Sequence, residues 1–173
     1  NHLFYTDKQY PNKLKLCTDW NNQRFLSIVG TIKSTQFGKE YTQNLISELA
    51  KYNVIIVSGL AFGIDIAAHK AALHNGLDTV AALAHGLDRV YPSQHANVAQ
   101  EIMQQGALLS DYMCGVAPDR QNFPSRNRIV AGISDATIVI EISKKGGSLI
   151  TVDIDNSYNR DVFVVPGKPI YKQ

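Results

Sequence analysis

From Phe25 to Gly167 the chain alternates short apolar runs with stretches of helical period, and this leaves few folds open. FLSIVG (25–30) and VIIVSG (54–59) are apolar runs ending in glycine, the pattern of strands covered on both faces of a parallel sheet. TVAALA (79–84) reads as a third strand, ALLSDY (107–112) as a more marginal fourth, ATIVIEI (136–142) as a fifth, and DVFVVPG (161–167) closes the series. Between them, Ser34 is placed to cap a helix on which Phe37, Tyr41, Leu45 and Leu49 share one face. IDIAAHKAAL (64–73) is an alanine-rich helix, and residues 94–105 put Val98, Ala99, Ile102 and Met103 on one side. Further helices are read from about Ser125 to Ile133 and from Ser148 to Tyr158. The alternation predicts an α/β fold: a doubly wound, mainly parallel sheet of about six or more strands with helices on both faces. Residues 1–24 are polar and irregular and read as a leader packing on a core formed by 25–173.

The 173 residues suit one domain with a sizeable core, and 45% hydrophobic with 18% charged content is a folded, soluble composition. A net charge of +2 argues against a broad basic face but leaves room for a local basic pocket. Cys17 and Cys114 are far apart, in no metal-ligand spacing, and read as reduced thiols of a cytoplasmic protein. No apolar run approaches the roughly 18 residues of a membrane span, and no membrane partner is expected. The chain begins Asn1-His2-Leu3 without a methionine and ends just past a loop-like GKP, so it reads as a piece of a longer protein.

In sheets of this kind ligands bind beyond the carboxyl ends of the strands. The turns there read Gly30-Thr31-Ile32-Lys33-Ser34, Ser58-Gly59 through Gly63 to Asp65, His85-Gly86 through Arg89 to Tyr91-Pro92, and Lys144-Lys145-Gly146-Gly147-Ser148. Glycine lets a backbone approach a ligand and present its N–H groups, and helix N-termini add a positive dipole. One such turn needs glycine for packing alone. Four along one edge, with Lys33, Arg89, Arg126, Arg128, Lys144 and Lys145 among them, point to phosphates.

NFPSRNRIVAGIS (122–134) sets Arg126 and Arg128 at the start of a predicted helix, where the dipole disfavours cations. Nucleic-acid phosphates or a carboxylate partner would offset them; a structural bridge from one of them to Asp65 or Glu141 is the alternative. Neither G-x-G-x-x-G after the first strand nor G-x-x-x-x-G-K-[ST] is present, so a conventional NAD or ATP site is not expected. Asp65 and His69, four apart on one helix, read as a cap and a packed ring. Ser58 lacks a G-x-S-x-G elbow, and His85 and His95 lack ligand spacing. No catalytic residue, metal or cofactor is expected.

SGLAFGIDIAAHKAAL (58–73), HGLDRVYPSQH (85–95), NFPSRNRIVAGIS (122–134) and GGSLITVDIDNSYNRDVFVVPG (146–167) together resemble the DNA processing protein A family, also called DprA or Smf. YPNKLKL (10–16) and IVGTIKSTQFGKEY (28–41) are similar to it too, so the likeness covers nearly the whole chain. The resemblance implies a Rossmann-like domain that binds single-stranded DNA, protects incoming DNA in natural transformation and helps load the recombinase RecA. It further implies a homodimer, no catalytic activity, and flanking domains that this sequence does not contain.

Carried over residue by residue, the resemblance assigns Gly30, Thr31, Ser58, Gly59, Gly63, Gly86, Asn122, Arg126, Asn127, Arg128, Gly147 and Ser148 to the nucleic-acid site. Lys33, Ser34 and Arg89 join them, with Asp65, His69, Tyr91, Pro92 and Thr151 in support. Asn127 is expected to hold the shape of its loop. The family's first turn carries an arginine where this chain has Ile32, a departure that Lys33 offsets only in part. Phe62, Tyr91 and Phe123 could stack bases or anchor loops. A rival reading is a nucleotide hydrolase of the phosphoribohydrolase, lysine decarboxylase-like type. That class needs P-G-G-x-G-T-x-x-E, and here Gly146-Gly147 runs on without the second Gly-Thr or the glutamate.

Overall fold

The computed structural model describes residues 4–6, 20–141 and 160–165. Seven strands form one sheet: β1 (Phe4–Thr6), β2 (Arg24–Gly30), β3 (Val54–Ser58), β4 (Thr79–Ala82), β5 (Gly106–Ser110), β6 (Ala136–Ile140) and β7 (Asp161–Val165). Their order is β1-β5-β4-β3-β2-β6-β7. The strands from β2 to β7 are all parallel, and β1 adds an antiparallel edge. The expected sheet is present; β1, short and lying in a stretch read as irregular, was not anticipated. The order reverses between β2 and β6, which opens a crevice at their carboxyl ends.

Four helices are described: α1 (Gln36–Leu49), α2 (Ile64–His74), α3 (Ala96–Gln105) and α4 (Asn122–Ile133). Alternation along each strand sorts them. Ile28, Ile56 and Ile140 face α1 and α2, meeting Ile46, Ile64, Ala68 and Ala72. Ala81 and Leu108 meet Val98, Ala99 and Ile102 of α3. The opposite face, through Val29, Val57, Val80 and Val139, packs on Ile129 and Val130 of α4. Both faces are thus covered, which is why these strands read as unbroken apolar runs.

Two helical details differ from expectation. The buried face of α1 runs through Gly38, Thr42 and Ile46, one position beyond the expected series, with Leu45 and Leu49 at its margin and Tyr41 turned outward. Helix α4 begins at Asn122, about a turn earlier than expected. Pro124 suits that first turn, where no intrahelical donor is needed. Arg126 and Arg128 therefore sit beyond the dipole-dominated first turn. The helix read over 148–158 and the residues Lys144, Lys145, Gly147, Ser148 and Thr151 lie outside the described residues.

Candidate nucleic-acid interface

At the crevice, Gly30 ends β2 where an added Cβ would lie 2.1 Å from the carbonyl oxygen of Ile140 and 2.5 Å from Ile64 Cγ1. Gly63 sits at φ +84, and a Cβ there would fall 2.1 Å from the carbonyl oxygen of Thr31. Conformation and space both demand glycine, and the amide of Ile64 donates to that same Thr31 oxygen at 3.3 Å. The turns after β2 and β3 are thereby locked together.

Thr35, rather than Ser34, caps α1. Its Oγ1 accepts from the amide of Gly38 at 3.1 Å. The hydroxyl of Ser34 is out of solvent with no hydrogen-bond partner among the described residues. Thr35 donates its own amide to Glu141 Oε2 at 2.8 Å and its hydroxyl to Oε1. Gly38 leaves the room: a Cβ there would lie 2.3 Å from Glu141 Oε2. The positive end of α1 already holds a carboxylate. Beside it Ile32 is 63% exposed, and Lys33 is exposed too.

Behind this turn lies a buried polar network. Ser58 donates to the carbonyl of Ile28 at 2.6 Å and lies beside Asp65. Arg126, only 5% exposed, donates through Nη1 to the carbonyl of Ala82 and through Nε to Asn127 Oδ1 at 3.2 Å. Its charge faces Asp65. A Cβ on Gly59 would strike both partners, 2.3 Å from Asp65 Oδ2 and 2.6 Å from Arg126 Nη2. Burial pushes the Asp65 carboxyl upward and Arg126 opposes it; burial pushes the guanidinium downward and Asp65 opposes that. His69 is neutral, pushed down to about 4 chiefly by burial. Its Nε2–H donates to the carbonyl of Gly59, and its Nδ1 lies 2.7 Å from the Thr79 hydroxyl, which also lies 2.9 Å from the carbonyl of Ile56.

Arg126 is therefore not the exposed, ligand-facing cation that the sequence suggested. It faces Asp65, the acid named in the alternative, across Gly59 as a charge neighbour rather than a direct ion pair, and with Ser58, Gly59 and His69 it braces the edge from within.

The ends of β4 and β5 form the exposed part. Gly86 donates to the carbonyl of Val116 at 3.0 Å, and a Cβ there would lie 2.4 Å from the carbonyl oxygen of Met113. Asp88 ties this loop by accepting from the amide of Gly115 at 2.8 Å. Its other oxygen accepts from Arg89 Nε at 3.0 Å and Nη2 at 2.8 Å. The Gly115 amide, followed by Arg89, holds the Asp88 carboxyl below the usual range. Asn122 donates to the carbonyl of Ala84 at 3.2 Å, pinning α4 to the end of β4. Arg128 reaches Asp111 Oδ2 through Nη2. Tyr91 and Phe123 lie with ring centres 6.0 Å apart, and Phe62 meets His95 edge-on at 4.7 Å. Pro92 is buried, whereas Phe62, Tyr91 and Met113 are exposed.

The structure thus brings Gly30, Thr31, Lys33, Ser34, Gly63, Gly86, Arg89, Asn122 and Arg128 to one edge, with Asn127 beside Arg126. What the reading missed is the acids: Glu141 on the α1 cap and Asp111 on Arg128. Both stand just after a strand, so tabulating acids as well as glycines and cations at strand ends would have found them. No group of His, Cys, Asp and Glu that could hold a metal occurs among the described residues.

A doubly wound parallel sheet with glycine-opened turns, exposed aromatics and guanidinium groups at one carboxyl edge defines a Rossmann-like domain. The family model for DNA recombination-mediator protein A matches residues 1–173, and the chain belongs to that family. It is 44% identical over 144 residues to Protein Smf of Synechocystis, covering 83% of this chain and 36% of that protein. It is 34% identical over 180 residues to DNA processing protein DprA of Bacillus subtilis, covering 96% and 61%. The chain spans between about a third and three fifths of the length of the curated relatives it matches. The solved DNA processing protein A of Streptococcus pneumoniae superposes with a TM-score of 0.86 at 36% identity, over 98% of this chain and 56% of that one. That of Helicobacter pylori, described for its single-stranded DNA binding mode, gives 0.84 at 33%, over 97% and 73%. Molybdenum cofactor carrier protein of Chlamydomonas reinhardtii, at 15% identity and a TM-score of 0.60, shares the fold alone.

Proposed function

We propose that this chain binds single-stranded DNA along the carboxyl edge of its sheet and serves DNA recombination by binding rather than by catalysis. Family membership and the single-stranded DNA binding described for the Helicobacter relative support the reading. The observation that carries it is the gathering of the glycine turns, Lys33, Arg89 and Arg128 on the edge where exposed Phe62, Tyr91 and Met113 also stand. Phosphates take the cations and backbone amides, and bases stack on the rings, so sequence preference is weak. Gly30, Thr31, Lys33, Gly63, Gly86, Arg89 and Arg128 belong to the contact surface in this account. Gly147 and Ser148, outside the described residues, join it on the family resemblance alone. The partners that follow are incoming single-stranded DNA in natural transformation, RecA to be loaded onto it, and a second copy of the chain, all in the cytoplasm. Two copies on one strand raise avidity.

A mobility shift comparing single-stranded with duplex DNA at 50 and 200 mM salt tests this. Stronger retention of the single strand, weakening with salt, is expected. Equal or preferential duplex binding would remove the reading, as would steady release of free base from nucleoside monophosphates.

A further inference from the structure

The exposed cations of this edge do not stand alone. Arg128 carries Asp111, and Arg89 carries Asp88. The first pair is built in a way that a purely structural bridge does not require. Arg128 is 38% exposed, whereas Asp111 is 12% exposed and held at the end of β5. Only Nη2 and Oδ2 meet; the second oxygen, Oδ1, is out of solvent with no hydrogen-bond partner among the described residues. A half-open, single-pronged ion pair contributes little stability. A phosphate offers the same guanidinium two oxygens in a matching fork.

We propose that Asp111 is a resident counter-anion that masks Arg128 and sets how tightly this edge grips phosphate. The inference rests on the strand-binding reading and adds a determinant of its strength. In the free protein the carboxylate takes up guanidinium hydrogen-bonding capacity that a phosphate would use. Binding exchanges one anion for the other, and the guanidinium swings from the inner, shielded acid to the outer strand. Neutralising Asp111 therefore strengthens binding, whereas neutralising a bridge with a purely structural role would leave binding unchanged or weaken it.

The test is fluorescence anisotropy of a labelled oligo-dT at 50 and 200 mM salt, with wild type, D111N, R128Q, the D111N/R128Q double variant and E101Q. E101Q makes the same change in net charge on the exposed face of α3, away from this edge. D111N is expected to tighten binding about three- to tenfold at low salt and to steepen the salt slope by about 0.7, because no bared carboxylate remains to recruit a cation when Arg128 neutralises a phosphate. The gain disappears in the double variant, and E101Q shifts affinity less than twofold. Unchanged or weaker binding by a folded D111N overturns the proposal, as does an equal gain in E101Q. D111S serves where D111N fails to fold. Failure of the wild-type chain to bind the strand at 50 mM salt removes the underlying reading, whereas wild-type binding without a D111N gain removes only the mask.

Discussion

Arg126 shows how a residue that looks like a ligand contact becomes part of the frame. Its guanidinium is buried between Asp65 and the carbonyl of Ala82, so it joins α2, α4 and the end of β4 at one point. Removing one of two buried, electrostatically coupled charges leaves the other without compensation. R126A is therefore expected to lose about 3 kcal/mol of stability in urea denaturation, and the added change D65N to restore part of it. An additive double variant would contradict the coupling.

His69 supplies a second residue-scale prediction. Its folded value of about 4 lies below its ordinary 6.5, so the neutral ring favours the fold. That contribution is complete above 6.5 and is lost as pH falls toward 4. Asp65 titrates with the opposite sign, because burial raises its carboxyl and protonation relieves the cost. Comparison with H69Q isolates the histidine. The stability advantage of wild type over H69Q should shrink by up to about 3 kcal/mol between pH 7 and pH 4. A pH-independent difference would mean that the ring is not held neutral.

At the scale of elements, apolar periodicity located β2 to β6 because both faces of the sheet are covered there and burial writes itself into an unbroken run, and it located β7 by its apolar residues although Phe163 and Val164 are exposed. It did not locate β1, which has three residues and one neighbour, β5. Nor did it fix helix starts: α1 opens at Thr35, whose hydroxyl reaches both Gly38 and Glu141, and no local pattern announces a partner 106 positions away. The glycines and cations of the edge were legible, and their acids stood in view just after other strands, but which acid meets which group is set by the sheet order and was not. The turn between β2 and α1 carries this into function. Ile32 projects from that turn into solvent, so I32R should fold with an unchanged melting temperature. It should tighten single-strand binding and steepen the salt slope by about 0.7. Tighter binding that persisted at high salt would point to a contact other than phosphate.

At the scale of the molecule, a near-neutral chain sets several of its cations at one edge of the sheet. The sheet order puts the crevice between β2 and β6, and the turns after β2, β3, β4 and β5 share its edge, while acids there temper each guanidinium. On the proposed reading, affinity at this edge reflects exchange of carboxylates for phosphates, so it depends on salt more than on base sequence. The most direct measurement of that claim is amide hydrogen–deuterium exchange with and without oligo-dT. Added protection should concentrate at residues 31–35, 60–63, 86–91 and 111–117. Protection confined to the amino ends of the strands or to the outer faces of α2 and α3, with those four segments unchanged, would contradict it.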